Sequence, residues 1–130
     1  MTVGGWSAPS TYGLRLYTPD GSNGVWGTNN WIEDQGVVML QRGRWYPSAA
    51  IMANGSVLVV GGEQGSNGAP EPSIEILPNG GPPIDMPWLA ATDPLNLYPF
   101  IVVLPSGGVF VMFFTQALKL DEGSYATIQT

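Results

Sequence analysis

An all-β chain built from repeated antiparallel sheets is predicted by three observations: glycine and proline interleaved with short apolar runs, a duplicated segment, and a Gly-Gly pair closing a strand. The 130 residues hold 18 Gly and 12 Pro, set between apolar runs such as Ile51–Met52, Val57–Val60 and Phe100–Leu104. Placed this way, they are turn residues between many short strands. The segment from Trp45-Tyr46-Pro47 to Val60 aligns without gaps on Leu97-Tyr98-Pro99 to Met112, at the constant offset of 52 residues that separates Tyr46 from Tyr98. Identities fall at Tyr46/Tyr98, Pro47/Pro99, Gly55/Gly107, Val57/Val109 and Val59/Val111.

Taken in order, the chain opens in the end of a strand, because Thr2-Val3-Gly4-Gly5 matches Val59-Val60-Gly61-Gly62. Leu14-Arg15-Leu16-Tyr17-Thr18-Pro19 then matches Ile74 to Pro78 as a third strand of its unit, with an outer strand expected around Trp31-Ile32-Glu33. The second unit begins with a hairpin whose Asn54-Gly55 turn supplies the positive φ that a tight connection needs. Its second strand, Val57-Leu58-Val59-Val60, is apolar on both faces, as a strand sandwiched between neighbouring sheets must be. An alternating third strand, Ser73-Ile74-Glu75-Ile76-Leu77-Pro78, follows, with an outer strand expected near Trp88-Leu89. The third unit repeats the hairpin around Ser106-Gly107, adds Ala117-Leu118-Lys119-Leu120-Asp121, and is expected to lack its outermost strand.

Four-stranded antiparallel sheets recurring about every 50 residues, with Gly-Gly closing the second strand, are the blade pattern of a kelch-type β-propeller. Length divided by offset gives about two and a half blades, with portions at about residues 1–42, 43–95 and 96–130 of a single propeller domain. About four to eight blades close a ring, so the chain reads as part of a larger propeller. A small β-sandwich containing one duplicated hairpin is the competing fold.

Composition narrows the chemistry. Ten acidic residues against four basic ones leave a net charge of −6, and no Lys/Arg cluster exists to neutralise phosphates, which argues against nucleic acid as a partner. With no Cys there are no disulfides or thiolate sites; with no His, the commonest metal ligand and neutral-pH base is missing. No apolar run approaches a membrane span, and Met1-Thr2-Val3-Gly4-Gly5 has neither the basic nor the apolar region of a signal peptide. Gly61-Gly62-Glu63-Gln64-Gly65 leads into a polar loop rather than a helix, so it reads as a blade connection and not a phosphate cradle. The adjacent pairs Glu33-Asp34 and Asp121-Glu122 point to opposite sides of an extended chain and read as solvated loop.

What remains is Arg42-Gly43-Arg44-Trp45-Tyr46-Pro47-Ser48, two cations, an indole and a phenol leading into an innermost strand. Pro47 belongs at a strand start, where its missing N–H does no harm, so Tyr46 is expected at the rim of the sheet. Tyr98-Pro99 repeats the pair one blade later, which gives the motif a purely structural reading as well. Asn54-Gly55-Ser56 is a formal N-glycosylation sequon at the predicted hairpin turn, so Asn54 is a candidate glycan site.

The stretch Arg44-Trp45-Tyr46-Pro47-Ser48, followed by Asn54-Gly55-Ser56-Val57-Leu58-Val59-Val60-Gly61-Gly62, resembles the fungal glyoxal oxidases, relatives of galactose oxidase. Leu16-Tyr17-Thr18-Pro19, Gly65-Ser66-Asn67-Gly68-Ala69-Pro70, Glu75-Ile76-Leu77-Pro78, Leu97-Tyr98-Pro99-Phe100 and Leu104-Pro105-Ser106-Gly107 extend the resemblance over nearly the whole chain. It implies a secreted, extracellular copper-radical oxidase that oxidises aldehydes or primary alcohols with O2 and releases H2O2. In that family a tyrosine cross-linked to a cysteine, a second tyrosine and two histidines hold the copper. Tyr46, by its place in the motif, would be the cross-linked catalytic and metal-binding tyrosine, with Arg44 and Trp45 beside it as possible supporting residues.

The chain departs from the pattern in carrying neither Cys nor His, so the other ligands would come from outside it and the chain alone is expected to be inactive and copper-free. The galactose oxidase branch also stacks a tryptophan over its cross-link from the loop after Gly-Gly; Glu63-Gln64 stands there here, leaving Trp45 or Trp6 to shield Tyr46. Two other readings stay open. One is a non-catalytic kelch propeller that binds a protein or glycan; the other is a self-associating piece whose partners are the remaining blades or further copies of the chain.

Overall fold

The computed structural model describes residues 2–5, 10–17, 31–32, 40–79, 81–86, 97–113, 116–121, 124 and 127–129. These form three antiparallel sheets, each a meander in which consecutive strands are hydrogen-bonded neighbours. The first holds β1 (Thr2–Val3), β2 (Leu14–Tyr17) and β3 (Trp31–Ile32), with a 3-10 turn at Ser10–Tyr12 between β1 and β2. The second holds β4 (Ser48–Ile51), β5 (Val57–Val60), β6 (Ile74–Leu77) and β7 (Ile84–Met86). The third holds β8 (Phe100–Val103), β9 (Val109–Phe113), β10 (Gln116–Leu120) and β11 (Thr127–Gln129). The fold is that of partial propeller blades.

Two outer strands differ from the sequence reading. In the second sheet the outer strand is Ile84–Met86, while Trp88 and Leu89 lie outside the described residues. Pro82-Pro83 hides this strand in the sequence, since proline marks a strand's start as readily as its absence. The third sheet does have its outermost strand: Thr127–Gln129 pairs with β10 through a register shift at Lys119/Leu120. A strand of three residues carries too little periodicity to announce it.

The repeat is also a repeat of geometry. In the β4–β5 hairpin the Met52 amide donates to the Ser56 carbonyl and the Gly55 amide to Met52; in the β8–β9 hairpin Leu104 donates to Gly108 and Gly107 to Leu104. Gly55 and Gly107 stand at φ 81° and 88°, the left-handed state that a tight hairpin needs and glycine adopts without strain.

The second sheet is the filling between the other two. Leu58, Val60, Ile74 and Ile76 pack against Val109, Val111, Leu118 and Leu120 of the third sheet. Val59 and Leu77, from the opposite face, pack with Leu14 and Leu40 and with partly buried Val3. Alternate residues of β5 therefore serve two cores, which is why the run Val57–Val60 carries no polar residue. β6 departs from the expected alternation between core and solvent, because all four of its residues are buried, Glu75 among them. β4 and β8 lie side by side, so the innermost strands of consecutive blades are neighbours, as blades around a common axis require.

Candidate functional site

Where β4 begins, its ladder with β5 does not stop at Ser48 and Val60. Trp45 and Glu63 form a further bridge in the same register, the Trp45 amide donating to Glu63 at 2.7 Å and the Glu63 amide to Trp45 at 2.9 Å. Tyr46-Pro47 is thereby set opposite Gly61-Gly62. A Cβ on Gly62 would stand 3.0 Å from the Trp45 carbonyl and 3.2 Å from the Pro47 nitrogen, so the glycine is what lets the tyrosine segment approach. The loop beyond closes on itself, with Gln64 donating to Ala69 and Glu71 to Gly62, the blade connection that the sequence suggests.

Tyr46 and Tyr98 both have left-handed backbones, at φ 58° and 51°, immediately before Pro47 and Pro99. Such a conformation in a bulky residue costs about 1–2 kcal/mol and points the aromatic ring out of the strand's ordinary direction. Tyr46 is 43% exposed and Tyr98 57%, both at the rim as the strand-start prolines predict. Trp45 stacks on Tyr46 with ring centroids 4.2 Å apart and planes 18° from parallel. Tyr98 stacks on Tyr46 at 4.7 Å and 24°. Two near-parallel rings this close cannot share one face, so Tyr46 is the middle of a three-ring stack. Val3, Gly4, Gly5 and Pro47 join these rings to line an open cleft of about 350 Å³. Desolvation of its hydroxyl against the stack and the neighbouring Tyr46 phenol hold the Tyr98 phenol above its ordinary pKa of 10.

Arg44 is placed otherwise. Its side chain is fully buried in the second sheet, where Nε donates to Glu75 Oε1 at 2.9 Å, Nη1 to the Gly61 carbonyl at 2.8 Å and Nη2 to the Ser73 carbonyl at 3.0 Å. Arg44 reaches the cleft through its backbone: its carbonyl accepts the Gly5 amide at 3.1 Å and its amide donates to Thr11. The guanidinium thus anchors the segment that carries Tyr46 to both the Gly-Gly turn and β6. Arg42 instead makes an exposed ion pair with Asp85 at 2.7 Å.

Two residues of this arrangement are not evident from the sequence. Glu75 reads as the polar member of an alternating strand, yet it accepts from Arg44 and from the amides of Gln41 and Arg42. Tyr98 reads as a strand-start aromatic; the 52-residue repeat signals its equivalence to Tyr46 but not their contact. Of the two shielding candidates, Trp45 does cover a face of Tyr46, while Trp6 lies outside the described residues, as do Glu33, Asp34 and Glu122. Asn54 sits exposed at the hairpin tip, its Oδ1 accepting from the Ser56 amide at 2.9 Å and hydroxyl at 2.6 Å.

Among the described residues no three His, Cys, Asp or Glu side chains converge, and the chain holds neither His nor Cys. Tyr46 is a cleft-facing phenol that fits as one donor to a metal.

The family model of the glyoxal oxidase N-terminus matches residues 1–130. The chain belongs to this glyoxal oxidase N-terminal family. A WSC domain-containing protein of Arthroderma benhamiae is 55% identical over 130 residues, which cover all of this chain and 14% of that protein. The aldehyde oxidase GLOX of Vitis pseudoreticulata is 31% identical over 115 residues, 85% of this chain and 20% of the relative. The chain therefore spans between a seventh and a fifth of the length of these relatives. No solved structure matches it significantly. Among the described residues of this glyoxal oxidase N-terminal chain, no helix is long and apolar enough to cross a membrane.

Proposed function

We propose that this chain is the N-terminal propeller portion of a secreted copper-radical oxidase that converts small aldehydes or primary alcohols with O2, and that Tyr46 is its contribution to the copper site. The observation that carries the reading is Tyr46 itself: in a family member, the motif tyrosine stands at the rim of a cleft, with a half-exposed phenol and aromatic rings on both faces. Copper bound there would supply one-electron chemistry, with the phenol as a second one-electron centre. For an aldehyde the net change is RCHO + H2O + O2 giving RCOOH + H2O2.

The chain's own residues do the positioning. Gly62 and the Trp45–Glu63 bridge set the backbone of Tyr46, Trp45 keeps water from one ring face, and the Arg44–Glu75 pair ties the segment to the blade. Remaining ligands would come from other parts of the intact protein. The apolar face bearing exposed Phe100, Val102 and Met112 fits a following blade, the same kind of contact that the second sheet already makes on both sides.

Peroxide release by the intact copper-loaded protein with glyoxal tests the reading. Activity in the wild type that falls by about a hundredfold or more in Tyr46→Phe is expected. No peroxide from the wild type, or full activity in Tyr46→Phe, would overturn it.

A further inference from the structure

Tyr46 and Tyr98 are joined in two ways. Their rings stack at 4.7 Å, and the Tyr98 amide donates to the Tyr46 carbonyl at 3.1 Å. A strand start asks only for the proline that follows; it does not ask for a left-handed tyrosine before it, since residues preceding proline favour extended backbone. Both tyrosines nevertheless hold positive φ, at 58° and 51°. Strain of this kind persists where the surroundings fix a side chain's direction, and what it achieves here is the contact of the two phenols.

The blade repeat explains how the pair arises. Equivalent positions on adjacent innermost strands, β4 and β8, come side by side, so a duplicated Tyr-Pro yields two phenols at one rim. With Trp45 on one face of Tyr46, Tyr98 takes the other, leaving the Tyr46 ring no room to swing. A phenol free to rotate would have to be reoriented for each turnover, whereas a clamped one is already aligned.

We infer that Tyr98 is a positioning residue for Tyr46, its ring clamping the Tyr46 face opposite Trp45. The inference rests on the reading of Tyr46 as the copper-binding phenol. Tyr98 acts through Tyr46 and needs no contact with the substrate.

Two variants of the intact protein test it. Tyr98→Phe keeps the clamping ring and loses the hydroxyl; Tyr98→Leu loses both. Near-UV circular dichroism of the metal-free intact protein reads the coupled rings and is expected to persist in Tyr98→Phe and to fall by about half or more in Tyr98→Leu. In aldehyde oxidation, Tyr98→Leu is expected to lower kcat about tenfold with KM within about twofold, and Tyr98→Phe, which keeps the ring, to recover most of the loss. Unchanged dichroism or unchanged kcat in Tyr98→Leu overturns the inference, as does a rise in KM at constant kcat. Full activity in Tyr46→Phe would instead overturn the copper reading, and the dichroism of the Tyr98 variants would still decide whether Tyr98 clamps Tyr46.

Discussion

Arg44 and Glu75 meet at 2.9 Å with both side chains inaccessible to solvent, 31 residues apart in sequence, Arg44 in the segment that leads into β4 and Glu75 on β6. Each charge is satisfied further: the guanidinium by Gly61 and Ser73, the carboxylate by the amides of Gln41 and Arg42. Removing one member leaves the other buried and unpaired, whereas replacing both with apolar groups removes the desolvation cost along with the attraction. Arg44→Met is therefore expected to destabilise the protein by about 3–5 kcal/mol, with much of the loss recovered in Arg44→Met/Glu75→Leu. Urea denaturation followed by tryptophan fluorescence measures both. Equal stability of Arg44→Met and the wild type would show that the pair contributes nothing.

Glycines at positive φ separate by what surrounds them. Gly55, at φ 81°, has only the Asn79 side-chain nitrogen 3.8 Å from a would-be Cβ, so Gly55→Ala is expected to cost the backbone strain alone, about 1–2 kcal/mol. At Gly62 the same methyl meets the Trp45 carbonyl at 3.0 Å and the Pro47 nitrogen at 3.2 Å. Gly62→Ala should cost about 1–3 kcal/mol more than Gly55→Ala and disturb the Tyr46 stack as well. Denaturation midpoints and near-UV dichroism of the two variants check the order; equal losses would contradict the close approach.

Tyr98 has a pH consequence. Its folded-state pKa is raised above the unfolded value of about 10, so the folded state holds its proton more tightly. The stability this gives is complete below about pH 10 and is lost as pH rises through the folded value. In the metal-free protein, ultraviolet titration at alkaline pH should show a late-ionising phenol that disappears in Tyr98→Phe. Superimposable titration tails in the two proteins would contradict the assignment.

Asn54 occupies an exposed turn that its own side chain stabilises through Ser56. Produced through a glycosylating secretory host, the intact protein is expected to carry a glycan that Asn54→Asp removes, since the aspartate keeps the turn's acceptor oxygen and loses the amide nitrogen. Intact mass before and after the substitution reads the outcome, and identical glycan mass in both would exclude Asn54 as the site.

Much of the fold was legible because it is written twice. The alignment of Tyr46 to Val60 on Tyr98 to Met112 carries the hairpins, their glycine turns and the doubly buried β5, each enforced by local chemistry that a sequence displays. Ile84–Met86 and Thr127–Gln129 escaped it, because strands of three residues at a blade's outer edge have little pattern to display. The place of Tyr46 and Trp45 at the start of β4 is legible from the motif, but the burial of Glu75 is not. An ion pair between residues 44 and 75 depends on how the segment before β4 comes to lie beside β6, and no local spacing encodes it. The stacking of Tyr98 on Tyr46 likewise needs the arrangement of blades about an axis, which the repeat implies only once the sheets are assembled.

The proposed role of Tyr46 as a metal-binding phenol is tested directly by a crystal structure of the copper-loaded intact protein. The expected result is Tyr46 Oη within the copper's coordination sphere, its ring held between Trp45 and Tyr98. Copper bound with full occupancy and Tyr46 outside its coordination sphere would contradict the account.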